Sequence, residues 1–216
     1  MNPKSAAVAA SLLLAAAQAS AATTITFENL AEGATLSNQY AALGVLFSPN
    51  AFSGAGGPNG DWATNTNMII TSSVTGDVGS LGTPSLVSGN VLHAYGNLYA
   101  TGWLGEDGDP SFLITFTTPV TSFSADFAGI GFPSSTTLTA YNGNTVIGVV
   151  AATATGQQTL SFAAASITKI AVTPGEYFDW VGVDNISFTQ AVPEPASYAM
   201  LALGLGLLAY KRRARG

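Results

Sequence analysis

The chain has 216 residues, no cysteine, one histidine and a formal net charge of −6. Without cysteine it forms no disulfide, no thiolate metal site and no cysteine nucleophile, and a single histidine excludes a multi-histidine metal site. A chain of this length is large enough for one domain with a sizeable core.

The net charge is distributed unevenly, because five of the six basic residues lie near the two ends of the chain. Residues 22–190 carry eleven acidic residues and only Lys169 as a base, which leaves this body at −10. This balance excludes nucleic-acid binding, since phosphate contacts require clustered Lys and Arg. Divalent cations are natural counter-ions for such a surface, although a solvated acidic face accounts for the same composition.

The amino-terminal segment has the layout of a secretory signal peptide. Lys4 supplies a positive charge, residues 6–17 form an Ala- and Leu-rich run, and Ala19-Ser20-Ala21 offers small residues for cleavage. We place cleavage after Ala21, with Ala22 as the alternative, and the segment predicts passage through the Sec translocon and removal by signal peptidase. A core helix is the other interpretation, but no amphipathic spacing supports it.

Residues 22–190 predict an all-β domain, because short alternating runs rich in Thr, Val, Ile and Phe are separated by turn residues. Two neighbouring strands are predicted at 112–116 and 123–127, with a break at Thr118-Pro119 between them. The dipeptide Asn142-Gly143 predicts a β-hairpin with a type I′ turn. Short strands spaced about ten residues apart favour a β-sandwich.

The opening strand 24–28 and the closing strand 183–188 resemble the two ends of the jelly-roll domains of carbohydrate-binding modules. In such modules a Glu of the first strand and an Asp of the last commonly hold a structural calcium ion. The resemblance therefore implies that Glu28 and Asp184 bind calcium together with backbone carbonyls. The alternative is that both residues are solvent-facing strand ends.

Three loop features are further candidates for ligand contacts. The Gly-rich stretch 53–60 lacks the Lys and the following helix of a phosphate-binding loop, so it predicts a long surface loop. Trp62 and Trp103 could stack on sugar rings, or they could be buried core aromatics. The cluster at 106–109 predicts an acidic turn, because the remaining ligands of an EF-hand loop are missing.

The carboxy-terminal tail contains three elements in a fixed order. Val192-Pro193-Glu194-Pro195 precedes an uncharged stretch at 196–210, and a basic end follows at 211–216. At 1.5 Å rise per residue the uncharged stretch covers about 22 Å of a hydrocarbon core about 30 Å thick, which predicts a marginal transmembrane helix. The positive-inside bias places the terminus in the cytoplasm through four basic residues: Lys211, Arg212, Arg213 and Arg215.

This order of elements resembles the PEP-CTERM sorting signal of exopolysaccharide-producing Gram-negative bacteria. The resemblance implies recognition and cleavage near Pro-Glu-Pro by an exosortase, a membrane-embedded transpeptidase-like enzyme. Pro193, Glu194 and Pro195 are then the recognition motif, while Arg212 and Arg213 belong to the basic stop. The alternative is an ordinary permanent anchor.

The chain is thus expected to comprise a signal peptide at 1–21, a jelly-roll-like β-sandwich at 22–190 and a sorting tail at 191–216. We expect an exported protein that is transiently anchored in the inner membrane and then reaches the cell envelope or extracellular matrix. There it would act as a non-catalytic structural or glycan-binding module among the exopolysaccharide of a biofilm. No catalytic residue is predicted, and structural calcium is the one cofactor considered.

Two other classes of function remain open at this point. An enzyme acting on matrix polysaccharide would need two carboxylates facing each other across a groove. An ice-binding protein would need a regularly repeated Thr face, and the body has no fixed period of that kind.

Overall fold

The computed structural model describes residues 21–50, 68–73, 85–94, 111–175 and 181–191, together with residues 204, 205 and 211. The chain divides into two compact units, one formed by Ala21–Ala191 and the other by Met1–Ser20 with Val192–Gly216. Apart from residues 204, 205 and 211, the described residues belong to the first unit.

The described part of the first unit is built from β-strands and two short 3₁₀ turns, which confirms the predicted all-β class. All strand pairs are antiparallel. The 3₁₀ turns are Ala41–Leu43 and Pro133–Ser135. The strands are β1 (Ala22–Ile25), β2 (Val45–Pro49), β3 (Met68–Ser72), β4 (Asn90–Ala94), β5 (Phe112–Ile130), β6 (Thr136–Asn142), β7 (Thr145–Ala151), β8 (Gly156–Pro174) and β9 (Gly182–Gln190).

These strands form one continuous sheet in the order β3-β4-β9-β5-β8-β6-β7, with β1 beside β9 and β2 beside β5. Strands β5 and β8 are long, with 19 residues each, and they pair with each other. The first part of β5 pairs with β2 and β8, and its second part pairs with β8 and β9. The partners of β5 therefore change along its length.

Two local predictions are corrected by the strand pairing. The expected break at Thr118-Pro119 does not separate two strands, because β5 continues through it with a register shift between Thr115 and Val120. A β-bulge accommodates Pro119, and the strand pairing resumes at Val120.

The predicted hairpin is confirmed, since Asn142 pairs with Thr145. Its turn differs from the prediction, because the central residues are Gly143 and Asn144. Of the two, only Gly143 has a positive φ, at 60°. A positive φ at the first central position alone is a feature of the type II′ turn and not of type I′.

The core is dominated by phenylalanine rings that connect different parts of the sheet. Phe27, just after β1, contacts Tyr40 and the β2 residue Phe47 at centroid distances of 5.9 and 6.3 Å. Phe116 of β5 contacts Phe188 of β9 at 5.4 Å, although these two residues are not paired in the ladder. The sheet thus encloses a core between strands that are not hydrogen-bonded to each other, which is consistent with a β-sandwich.

Several predicted features lie outside the described residues: 1–20 of the signal peptide, the Gly-rich loop 53–60, Trp62, Trp103, the acidic turn 106–109, the motif 192–195, and Arg212, Arg213 and Arg215. Of the predicted membrane helix, Gly204 and Leu205 are described and are helical. Within the portion of the chain that is described, no helix has the length and apolar character needed to cross a membrane.

Candidate functional site

The predicted calcium ligand Glu28 follows a sharp turn at the end of β1. Phe27 has a φ of 61°, which is unusual for a bulky residue, and its side chain is fully buried. Such a left-handed residue costs about 1–2 kcal/mol, so the packing of the Phe27 ring must hold it in place. The turn ends β1 and leaves Glu28 exposed at the edge of the core.

The Glu28 carboxylate is held by the chain segment that leads into β4. The amide of Asn90 donates a hydrogen bond to Glu28 Oε1 at 2.9 Å. The neighbouring Gly89 has a φ of 64°, and a Cβ atom at this position would overlap the Glu28 carboxylate. Glycine therefore satisfies both the backbone conformation and the close approach.

Asp184, the second predicted ligand, lies in β9 and is almost completely buried, with 1% of its surface exposed. Its Oδ1 accepts a hydrogen bond from the Asn185 amide at 2.7 Å, and its Oδ2 accepts a longer one from the Ser88 amide at 3.4 Å. Burial raises the pKa of Asp184 to about 6. The charges of Glu28 and Asp126 act in the same direction, while the two amide hydrogen bonds oppose it.

The two predicted ligands are therefore brought to the same short segment. The Ser88 amide contacts Asp184, and the Asn90 amide contacts Glu28. The negative charge of Glu28 contributes to the raised pKa of Asp184, so the two carboxylates repel each other and form no ion pair. The one basic residue of the body, Lys169, lies elsewhere, with its Nζ 4.6 Å from the centre of the Tyr141 ring.

Glu28 and Asp184 both present carboxylate oxygens to the segment at 88–90. A buried carboxylate beside a second carboxylate lacks a counter-charge, and oxygen donors of this kind are the ligands that calcium prefers. No group of three or more His, Cys, Asp or Glu residues suited to a metal ion occurs within the described segments. A calcium ion held there would thus have to complete its coordination with backbone carbonyls or water.

Asp126 and Asn185 belong to the same region, and the sequence did not single them out. Asp126 is the direct ladder partner of Asp184, in a stretch where the β5–β9 register shifts after Ser124. The Asn185 side-chain amide donates to Asp126 Oδ2 and to the Leu86 carbonyl, each at 3.0 Å. Asp126 also accepts a short hydrogen bond from the hydroxyl of Thr159.

This second network acts as a structural clamp. It ties β5, β8 and β9 to the segment at 85–90, because Asn185 reaches both Asp126 and the Leu86 carbonyl. Asn185 has a φ of 49°, a conformation that Asn tolerates better than most residues. The sequence feature that could have identified Asn185 is its position directly after Asp184, an acidic residue in a predicted strand.

Tyr40 is a further neighbour that the sequence gave no reason to choose. It is buried, and its hydroxyl donates a hydrogen bond to Asn29 Oδ1 at 2.6 Å. Burial raises the pKa of Tyr40; the Asn29 hydrogen bond opposes this, and the negative charge of Asp184 adds to it. The electrostatic influence of Asp184 thus extends to the Tyr40 hydroxyl.

The tail and the body together define the chain as an all-β protein with a carboxy-terminal sorting signal. Residues 191–215 match the family model described as the PEP-CTERM protein-sorting motif. This match confirms the sequence-based recognition of the tail. The chain is accordingly an exported protein that carries an exosortase sorting signal.

Comparison with known proteins adds distant similarities in fold. No curated protein matches the chain. The K2 cleaved adhesin domain of Lys-gingipain has a TM-score of 0.44 and 16% identity, covering 79% of this chain and 100% of its own. The K1 cleaved adhesin domain of Lys-gingipain from Porphyromonas gingivalis W83 has a TM-score of 0.43 and 12% identity, with coverages of 79% and 98%.

A Stig cyclase, Fisc from Fischerella sp. TAU, is similar to the same extent. Its TM-score is 0.42 at 13% identity, covering 80% of this chain and 100% of its own. The three structures include both adhesin domains and a cyclase. At these scores and identities the likenesses carry no inference about function.

Proposed function

We propose that the sorting signal anchors this protein briefly in the inner membrane and that an exosortase then cuts near Pro193-Glu194-Pro195. The β domain then serves in the envelope or extracellular matrix as a non-catalytic module. The observation that carries the proposal is the sorting motif matched at 191–215. The proposed topology places the β domain outside the membrane and the basic end in the cytoplasm.

The length of the tail supports transient anchoring. Residues 196–210 cover about 22 Å as a helix, which is about 8 Å less than the hydrocarbon core of a bilayer. The mismatch weakens a permanent anchor. Pro193 and Pro195 lack amide hydrogens and have a fixed φ, which favours an extended segment of the kind that a peptidase can bind.

A change in the motif tests the sorting proposal directly. In cells that contain the exosortase, replacing Pro193, Glu194 and Pro195 together with Ala is expected to leave uncleaved chain in the inner membrane. The matched control replaces Ala191, just before the motif, with Gly. Unchanged processing of the triple variant would refute cleavage at this motif, and equal loss in both variants would show a general defect.

The β domain is proposed to be a structural or glycan-binding module that calcium stabilises through Glu28 and Asp184. Support comes from the buried, uncompensated carboxylate of Asp184 and from its electrostatic coupling to Glu28. Each of the described carboxylates at this end of the sheet also accepts hydrogen bonds that connect separate segments. Such bonds favour a structural use over a role in acid–base chemistry.

Glycan binding is tested with the exported protein on an array of bacterial polysaccharides, in calcium and in chelator. Binding that requires calcium would support a glycan-binding module. Binding to no polysaccharide in either condition would reject glycan recognition and leave the structural role.

A further inference from the structure

Strand β7 (Thr145–Ala151) presents an apolar edge to solvent. It is the last strand of the described sheet order and pairs with β6 on one side only. Its sequence, TVIGVVA, contains neither charge nor proline. Val146, Ile147 and Val149 are exposed by 52, 37 and 58%, which are high values for large apolar side chains.

The other outer strands of the described sheet are protected in ways that β7 is not. Ile70 of β3 accepts a hydrogen bond from the Gly33 amide and donates one to the Ala34 carbonyl, at 2.7 and 2.9 Å. Phe47 of β2 donates to the Ser37 carbonyl at 2.8 Å. Strand β1 has only four residues. Proteins commonly blunt sheet edges by covering or shortening them.

The distribution of charge also sets this edge apart. From Phe127 to Thr168, a stretch that includes all of β6 and β7, the sequence contains no charged residue. The body as a whole carries eleven acidic residues against one base. Two copies of such a body repel each other over most of their surface, but they can meet at this edge without opposing like charges.

We propose that β7 is a self-association edge, and that its partner is the β7 strand of a second copy of this chain. Antiparallel pairing about a two-fold axis places the same strand on both sides of the contact. Each free N–H group of one β7 then faces a free C=O group of the other. Main-chain hydrogen bonds give such strand addition its affinity, and the apolar side chains give it burial. An uncharged and apolar strand is complementary to itself in both respects.

The pairing within the sheet locates the contact along β7. Ala140 pairs with Gly148 and Tyr141 pairs with Val146, so Ile147 is the extra residue of a bulge. The ladder is regular from Gly148 to Ala151, and regular backbone is what a further strand can pair with. Val149 therefore lies near the centre of the contact.

Thiol crosslinking of the full exported chain tests this contact at a single position, because the chain has no cysteine of its own. Val149→Cys is expected to yield a species of twice the chain mass after oxidation. Leu43→Cys, a position that is 40% exposed and far from β7 in sequence, is the matched control and is expected to stay monomeric. Equal crosslinking at both positions, or none at Val149→Cys, would overturn the proposal.

The mass of the product also identifies the partner. A crosslinked species that joins the chain to a different protein would reject a second copy as the occupant of the edge.

A charge substitution provides the second measurement. Two Glu residues opposite each other destabilise a strand pair, so Val149→Glu is expected to abolish the dimer in light scattering of the exported protein. Leu43→Glu should retain it. Because Val149 is largely exposed, both variants should remain folded, each with a single cooperative thermal transition. A parent chain that is monomeric, or a Val149→Glu variant that still dimerises, would contradict the inference.

Discussion

The carboxylate of Glu28 occupies the space above Gly89 that any other residue would fill with its Cβ atom. Gly89 also has a φ of 64°, so both the backbone conformation and the close approach of Glu28 favour glycine there. The contact fixes Glu28 next to the Asn90 amide and, through Ser88, close to Asp184. The calcium ligands predicted from opposite ends of the β domain thus depend on one small turn.

Replacement of Gly89 by Ala is expected to lower the free energy of unfolding by about 1–2 kcal/mol, because the left-handed backbone becomes strained. The added methyl group should also displace the Glu28 carboxylate from the Asn90 amide. Urea unfolding in the presence of a chelator measures the loss. As a control, Gly89→Asn should cost less, since Asn tolerates a positive φ better than Ala does. An Ala variant as stable as the parent would contradict this account.

The stability of the metal-free protein is expected to fall as the pH rises from about 4 to about 6. Burial raises the pKa of Asp184 from 3.8 to about 6, so the folded chain holds a proton that the unfolded chain has released in this range. Stability decreases with pH wherever the folded state binds more protons, here by up to about 3 kcal/mol in total. Urea unfolding in chelator at several pH values checks the slope.

The same experiment on Asp184→Asn separates Asp184 from the other acids. The amide cannot ionise, so the pH dependence between 4 and 6 should largely disappear. If the slope persists in Asp184→Asn, another group is its source.

Calcium is expected to raise the thermal midpoint of the parent protein and to leave that of Glu28→Gln or Asp184→Asn nearly unchanged. Calcium at 100 times its dissociation constant adds about 2.7 kcal/mol, which corresponds to about 5–10 °C for a chain of this size. Differential scanning calorimetry with calcium and with chelator provides the comparison.

The control for this measurement is Glu32→Gln, which removes an acid that is close in sequence to Glu28. Its response to calcium should match that of the parent. Equal midpoints of the parent protein in calcium and in chelator would eliminate the site as a source of stability.

Gly148 is expected to be intolerant of even a methyl group, because the Phe162 ring lies where a Cβ atom would stand. Phe162 packs against the hydrophobic core, so Gly148→Ala must move the ring and should cost about 1–3 kcal/mol. A double-mutant cycle tests the cause. In a Phe162→Ala background the same substitution should be neutral or stabilising, and a cost that is the same in both backgrounds would exclude the ring contact.

Alternation of side chains was sufficient to predict the all-β class, because strand burial repeats every second residue, and the Asn142-Gly143 dipeptide predicted the β6–β7 hairpin. The predicted break at Thr118-Pro119 was wrong, because a register shift lets β5 continue through the proline. The Asn-Gly dipeptide also led to the wrong turn type, because the loop begins one residue later than the dipeptide suggested. Bulges and turn registers depend on the neighbouring strand, which local sequence does not contain.

Glu28 and Asp184 were chosen from a resemblance to carbohydrate-binding modules, in a predicted opening strand 24–28 and closing strand 183–188. The structure brings both residues to the same segment, although β1 ends at Ile25 and Glu28 lies after it. Asp126 and Asn185 were missed, since their roles arise from a ladder pairing and a hydrogen bond across 59 positions. The sequence also gave no reason to choose Ser88, because it contacts Asp184 only through its backbone amide.

The sequence by itself identified the sorting signal of this protein. A sorting motif is a linear segment, so its order of residues is sufficient to recognise it. Tertiary structure alone decided the environment of Asp184, the constraint at Gly89 and the exposed edge of β7. Burial, close approach and edge position are properties of chain segments distant in sequence, and they exist only once the sheet has formed.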